Sequence, residues 1–238
     1  MLKFSVIIFL IFFPFIMFAQ HTVTHSNMLW VNYNNNIRVD SSWSVVNDVQ
    51  LRTKDWADKW SQFAVRTGLV YNLKKNITVT LGFAWFASVS YFNNRPVLAN
   101  EWRPWQEIAF QKQIRSLKFI QRVRLEQRFL QQLSNGKKTN DFETRHRLRY
   151  RFEFGYPVCS GKYILFAGNE VMGNLNYIGT NRFFDQNRTF AYVNCKLSPK
   201  TIFQFQYIKV LQWRATAWVL EDNNVFRFSI HQQLSLKK

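Results

Sequence analysis

The fold is decided by residues 62–87, which read QFAVRTGLVYNLKKNITVTLGFAWFA. Apolar side chains alternate with small or polar ones from Phe63 to Leu73, and the pattern repeats from Ile77 to Trp85. A period of two residues is the signature of a β-strand. Each run covers about ten residues, enough for a tilted strand to cross a bilayer, whereas strands of soluble proteins average about five or six. The stretch therefore predicts a hairpin of two membrane-crossing strands.

The same alternation recurs along the rest of the chain. We predict strands near 28–38, 42–52, 62–73, 77–87, 104–112, 117–130, 142–154, 163–172, 184–197, 201–213 and 223–236. Short turns are expected at 39–41, 74–76, 113–116, 155–162 and 198–200, and longer connections at 53–61, 88–103, 131–141, 173–183 and 214–222. Short and long connections alternate in this way in outer-membrane barrels. Because single-chain bacterial barrels normally have an even strand number, we expect an all-β, antiparallel, transmembrane up-and-down barrel of roughly 10–12 strands, with about 12 favoured.

The first residues predict export. Residues 1–19 read as a secretory signal peptide, because Lys3 is their only charge, the run to Phe18 is apolar, and the small Ala19 ends it. The alternative is an uncleaved inner-membrane anchor, since about 17 apolar residues are near the short limit of a membrane span. We therefore expect a cleaved signal peptide, a barrel domain of residues 20–238 and a location in the cell outer membrane of a Gram-negative bacterium.

The charge of the chain restricts its partners. The formal net charge is +18 at neutral pH, which favours anionic surfaces or solutes. An exported chain rarely meets nucleic acid, so we expect no nucleic-acid partner. The expected partners are membrane lipid and lipopolysaccharide, a small anionic solute, and the barrel-assembly machinery for insertion. We expect the barrel to be a monomer.

Two further features concern the ends of the barrel. Cys159 and Cys195 match no metal motif, and export permits a disulfide. If the hairpin of 163–172 and 184–197 turns near residue 178, these cysteines lie opposite each other, and we predict a disulfide at the periplasmic end. Aromatic girdles at the bilayer interfaces are expected from Trp102, Trp105, Tyr150, Phe152, Phe154 and Trp213.

Two neighbouring segments, 117–130 and 142–154, each have one apolar and one ionic face. A charge on the lipid side costs about 2–4 kcal/mol at the midplane, so the ionic faces must point into the lumen. The candidate lumen charges are Glu107, Arg122, Arg124, Glu126, Arg128, Glu143, Arg145, Arg147, Arg149, Arg151, Glu153, Glu170 and Arg188, with Asp185 and Arg227 as further candidates. We expect a register that pairs Arg128 with Glu143, because it opposes unlike charges.

This ionic face has two interpretations. Arginine and glutamate interlock to fill a narrow barrel, or the excess of arginine lines a path for anions. The first corresponds to an outer-membrane barrel of unassigned specific activity, and the second to a channel or transporter for small anionic solutes. A membrane-embedded lipid hydrolase is a further alternative, because Thr144 and His146 lie on the predicted lipid side. Their order and spacing do not match outer-membrane lipases, so we expect no enzyme, no catalytic residue, no metal site and no cofactor.

Several stretches of the chain resemble a known family. They are Leu29-Trp30, Arg-Pro-Trp-Gln-Glu at 103–107, Gln-Arg-Val-Arg-Leu-Glu-Gln-Arg at 121–128, Arg-His-Arg-Leu-Arg-Tyr-Arg at 145–151 and Phe-Asp-Gln-Asn-Arg at 184–188. With these motifs the chain resembles the domain-of-unknown-function family 2490 over nearly the whole mature sequence. The resemblance implies an outer-membrane β-barrel without an assigned biochemical role, and it adds no active residues.

Overall fold

The computed structural model describes residues 22–176, 183–213 and 219–236, and the predicted signal peptide, 1–19, lies outside them. Eleven strands in this part of the chain close into a single barrel. They are β1 (Thr22–Arg38), β2 (Trp43–Lys54), β3 (Lys59–Lys74), β4 (Ile77–Phe92), β5 (Arg95–Ile114), β6 (Leu117–Ser134), β7 (Lys137–Val158), β8 (Tyr163–Asn174), β9 (Phe184–Ser198), β10 (Thr201–Trp213) and β11 (Val219–Ser235). No helix among the described residues is long and apolar enough to cross a membrane. The predicted all-β barrel is confirmed.

The barrel closes between its first and last strands. Consecutive strands pair antiparallel, whereas β1 and β11 pair parallel, with Thr22 opposite Val219 and Arg38 opposite Ser235. An odd number of up-and-down strands leaves the first and last pointing the same way, so their seam has to be parallel. The eleven segments predicted from the sequence are thus all present in the described residues. The count lies within the predicted range of 10–12 strands and one below the favoured 12, because a parallel seam removes the need for an even number.

Two connections that we predicted as long loops belong to strands. Residues 88–103 lie almost entirely in the β4–β5 hairpin, whose turn is Asn93–Asn94, and 131–141 lie in the β6–β7 hairpin, whose turn is Asn135–Gly136. All four turn residues have positive φ. Such two-residue turns match the twist of paired strands, and Asn and Gly adopt them readily. Strands β4 to β7, of 16 to 22 residues, are therefore longer than a bilayer crossing requires. This part of the sheet extends beyond the membrane-spanning length.

The alternation seen in residues 62–87 separates the outside of the barrel from its lumen. Phe63, Leu69 and Leu81 are exposed on the outer surface, whereas Ala64 and Ala84 are buried in the interior. Large hydrophobic side chains remain exposed on every strand, as a lipid-facing surface requires.

Part of the lumen is filled by apolar side chains. One cluster joins β1 to strands β8–β11 and consists of Met28, Trp30, Ile164, Phe166, Phe190, Tyr192, Ile208, Val210 and Val225. A smaller cluster on β3–β5 consists of Ala64, Ala84, Phe86 and Trp105. The barrel interior is therefore a mixed apolar and ionic core.

Trp105 lies in the lumen, and its predicted place in an aromatic girdle is wrong. It is only 4% exposed, whereas Trp102 on the same strand is exposed. The Trp105 ring lies over Gly68 and Gly82, where a Cβ on Gly82 would come within 2.2 Å of the ring. The missing side chains of these two glycines leave the space that an inward indole needs.

The two cysteines are free, so the predicted Cys159–Cys195 disulfide is not formed. The β8–β9 register places Tyr163 opposite Cys195. Cys159 precedes β8 in the short 3-10 helix Cys159–Gly161, outside the paired region. The prediction fails because the β8–β9 register pairs Cys195 with a residue four positions after Cys159.

The packing of Gly155 gives a test of this interior. A Cβ on Gly155 of β7 would come within 2.2 Å of the Phe166 ring on β8. We expect Gly155→Ala to lower the free energy of unfolding by about 1–3 kcal/mol, because overpacking displaces that ring. Urea unfolding of the barrel in detergent measures this change in the free energy of unfolding.

The matched background is Phe166→Ala, which removes the ring. The destabilisation caused by Gly155→Ala should be smaller in this background than in the unmodified chain. An equal destabilisation in both backgrounds would contradict the packing described here.

Candidate functional site

The ionic faces of β6 and β7 meet in a register other than the predicted one. Arg128 faces Arg145 instead of Glu143, and Arg124 faces Arg149. The prediction avoided opposed like charges, and it is wrong because it considered only residues directly opposite each other. Arginine side chains are long enough to reach carboxylates on a diagonal or on a third strand.

Glu126 of β6 is at the centre of the resulting network. Its side chain is 1% exposed. One of its oxygens accepts a hydrogen bond from Arg147 Nε at 2.9 Å, and the other accepts one from Arg149 Nη1 at 2.7 Å. Arg103 Nη1 of β5 lies 3.6 Å away. A carboxylate so deeply buried loses several kcal/mol of hydration, and three arginines compensate for that loss.

Glu170 of β8 is the second centre. Arg149 Nη2 donates to both of its oxygens, at 2.8 and 2.9 Å, and Arg122 Nη2 donates at 2.6 Å. Arg188 Nη1 of β9 is 3.7 Å away. Because Arg149 binds both Glu126 and Glu170, the two centres form one network that extends from β5 to β9.

Every candidate charge from the sequence except Arg227, which donates to Gln204, takes part in at least one ion pair. Besides the two centres, the pairs are Glu101 with Arg103 and Arg128, Glu107 with Arg122 and Arg124, Asp185 with Arg147, Glu153 with Arg151, and Glu143 with Arg145. The sequence analysis missed Glu101 and Arg103, because it placed them in a loop. Glu101 and Arg103 share a spacing of two residues with Trp105 and Glu107, and this spacing is the signal that could have placed them on the same inward face.

Aromatic side chains form a second set of contacts to the lumen arginines. The guanidinium carbons lie about one ring-stacking distance from the ring centroids: Arg52 over Trp30 at 4.1 Å, Arg103 over Phe86 at 4.0 Å, Arg124 over Trp105 at 4.1 Å and Arg151 over Phe190 at 4.2 Å. The negative face of an aromatic ring attracts a cation, more strongly where water is excluded. These rings therefore stabilise arginine charge in a lumen with few carboxylates. Sequence analysis did not assign them this role.

Two cavities remain between these side chains. The outer cavity, of about 270 Å³, lies toward the end that carries the turns Asn93–Asn94 and Asn135–Gly136. Among the described residues eight basic side chains line it, against one carboxylate, Glu221. The inner cavity, of about 360 Å³, lies toward the opposite end. Arg66 lines both cavities, so it stands between them.

Arg66 is held in place by one carboxylate. Its Nε donates to Asp48 Oδ1 at 2.6 Å, and Asp48 also accepts a hydrogen bond from Asn32 Nδ2 at 3.3 Å. Both side chains are partly exposed to the lumen. Residues of β2 and β3 thus form the partition between the two cavities, on the side of the barrel opposite the Glu126 and Glu170 network.

The structure gives no support to a catalytic or metal site in the part of the chain that it describes. No group of His, Cys, Asp and Glu side chains there could hold a metal ion. The backbone N–H of His146 donates to Asn176 Oδ1 at 2.6 Å, and Asn176 Nδ2 donates to the Thr144 carbonyl. Among the described residues, no acid or nucleophile is hydrogen bonded to the His146 ring.

The network predicts unequal effects of two similar substitutions. Glu126→Gln should lower the free energy of unfolding by about 3–5 kcal/mol, because it leaves buried arginines without their counterion. Glu143→Gln is the matched control, since the only described arginine that Glu143 pairs with is Arg145, at the more exposed rim, beside a long hydrogen bond from Gln132, and its loss should cost about 1 kcal/mol or less. Urea unfolding measures both, and equal losses would contradict the central role of Glu126.

The comparisons with known proteins identify a family and two remote structural likenesses. None of the curated proteins matches the sequence. The chain is similar to the NanC porin, with 13% identity and a TM-score of 0.47, over 80% of this chain and 89% of that one. It is also similar to the siderophore receptor PirA from Pseudomonas aeruginosa, with 10% identity and a TM-score of 0.30, over 75% of this chain and 35% of that one. The model of the family described as Protein of unknown function (DUF2490) matches residues 27–221, and the chain therefore belongs to that family.

Proposed function

We propose that this protein is an outer-membrane barrel that lets small anions pass along its lumen. The observation that carries the proposal is the pair of cavities separated by Arg66, of which the outer one has a strongly basic lining. Guanidinium groups bind carboxylate and phosphate well, and basic linings select anions in pores.

The location in the outer membrane is part of the proposal. The apolar outer surface and strands of 12 or more residues support it, because they suit a bilayer and not water. The apolar start of the sequence, with its single Lys3, supports export. Membrane lipid and lipopolysaccharide are then the proposed surroundings, the barrel-assembly machinery is the proposed insertion partner, and the barrel acts as a monomer.

The open space left in the lumen supports a path over simple structural packing. Arg147 and Arg149 of β7, which bind Glu126, line the outer cavity. Arg52 and Arg66 of β2 and β3 line the same cavity. A lumen that served only to close the barrel would gain stability from filling that space.

Conductance across a planar bilayer tests the path. We expect the purified barrel to give small single-channel currents, and a salt gradient to give a reversal potential on the anion-selective side. Arg66→Ala should raise the conductance, because it shortens the side chain between the cavities. It should also reduce the preference for anions, because Asp48 loses its counterion.

Arg145→Ala is the matched control for this measurement. It removes an arginine that is bound to Glu143 and lines neither cavity, so the conductance should not change. Absence of current from correctly folded protein, or identical currents in the Arg66→Ala and Arg145→Ala variants, would contradict the proposed path.

Cell fractionation tests the location separately. We expect the protein in the outer-membrane fraction, as a band whose electrophoretic mobility changes on heating, which is the behaviour of a folded barrel. A soluble periplasmic pool would contradict the proposed location, whatever the conductance measurement gives.

A further inference from the structure

Two arginines in the wall of the outer cavity share one aromatic ring. Arg52 of β2 lies over the Trp30 indole, with its guanidinium carbon 4.1 Å from the ring centroid, and Arg188 of β9 lies at 5.5 Å from the same centroid. All three residues line the outer cavity. Two positive charges near a single ring repel each other, and an anion in the cavity that both residues line would relieve that repulsion.

Arg52 has no carboxylate partner among the described residues. Its Nε donates to Gln50 Oε1 and its Nη1 to Gln62 Oε1, both at 2.8 Å. These neutral amides fix the orientation of the guanidinium and supply no negative charge, so the charge is stabilised by the Trp30 ring without an ion pair among the described residues. Arg52 differs in this from the arginines of the Glu126 and Glu170 network.

Arg188 is only weakly compensated. Its nearest carboxylate, Glu170, is 3.7 Å away and already binds Arg122 and Arg149 at shorter distances. The Nε of Arg188 is buried and donates to no described acceptor.

Trp30 adds another donor without an acceptor. The residue is 5% exposed, and its indole Nε1 is buried with no hydrogen-bond partner among the described residues. A buried N–H group without an acceptor costs about 1–3 kcal/mol, so such groups usually mark a water, an ion or a ligand. The residues that carry these two unpaired donors, Trp30 and Arg188, line the same cavity as Arg52.

We propose that Trp30, Arg52 and Arg188 form a binding site for one oxyanion group, a carboxylate or a phosphate, of a small solute in the outer cavity. Guanidinium groups bind both kinds of oxyanion with paired hydrogen bonds. The volume of about 270 Å³ limits the solute to a small molecule. Gln186, Gln212 and Asn223 in the same lining provide hydrogen-bonding groups for a polar body. The site rests on the proposed function in so far as the solute reaches it through the lumen.

Calorimetric titration of the folded full-length protein in detergent tests the site. The probes are inorganic phosphate and succinate, with glycerol as the uncharged control. We expect saturable binding of at least one anion and none of glycerol. Binding of phosphate alone or of succinate alone identifies which oxyanion the site takes, and binding of neither overturns the proposal.

Three variants separate the site from general charge effects. Arg52→Gln should weaken binding by about tenfold or more, the usual effect of losing a charged hydrogen-bonding partner. Trp30→Phe keeps a ring and removes the N–H donor, and it should weaken binding by a smaller factor. Arg145→Gln removes an arginine outside the cavity and should leave the affinity unchanged. A heat-modifiable band shows that each variant is folded, and equal affinities in Arg52→Gln, Arg145→Gln and the unmodified protein would overturn the proposal.

The titration tests the binding site and the bilayer recording tests the proposed path, so one proposal can fail without the other. Saturable binding without current would support this site and contradict the proposed path. Current without saturable binding would support the path and overturn this site.

Discussion

Burial of charge inside a closed barrel is the constraint on which the rest of the structure depends. A guanidinium or carboxylate group in the lumen has left bulk water and has to be compensated by its neighbours. Arginines outnumber carboxylates there, so the most buried carboxylates are shared. Glu126 contacts arginines of β5 and β7, and Glu170 contacts arginines of β6, β7 and β9. The register of β6 and β7 fits this sharing, even though it places Arg124 opposite Arg149.

Aromatic rings compensate charge where carboxylates are missing. Trp105 can turn inward only because Gly68 and Gly82 leave room for its ring, and there it supports Arg124. Phe86, in the same small cluster, supports Arg103 in a similar way. Small residues on β3 and β4 thus determine where the large rings of the lumen lie, and the rings in turn determine where arginine charge is tolerated.

The lumen arginines differ in their partners. Those of β5 to β9 belong to a dense network of ion pairs, whereas Arg52 of β2 has no carboxylate within ion-pairing distance among the described residues. Carboxylates beside Arg52 would stabilise a barrel that had only to remain closed. Neutral Gln50 and Gln62 hold it instead, and this lack of a counterion is the observation on which the proposed anion site rests. The difference between the ion-paired arginines and Arg52 is the physical basis of that proposal.

The sequence by itself determined the strands and their faces. An alternation with a period of two residues, as in 62–87, separates lipid-facing from lumen-facing side chains whatever the partner strands are. It also placed the charges of 117–130 and 142–154 on inward faces. Only the tertiary structure decided the odd strand number with its parallel seam, the register of β6 and β7, and the free state of Cys159 and Cys195. These features depend on contacts between three or more strands, and a pattern along one strand, or between one pair, contains no information about them.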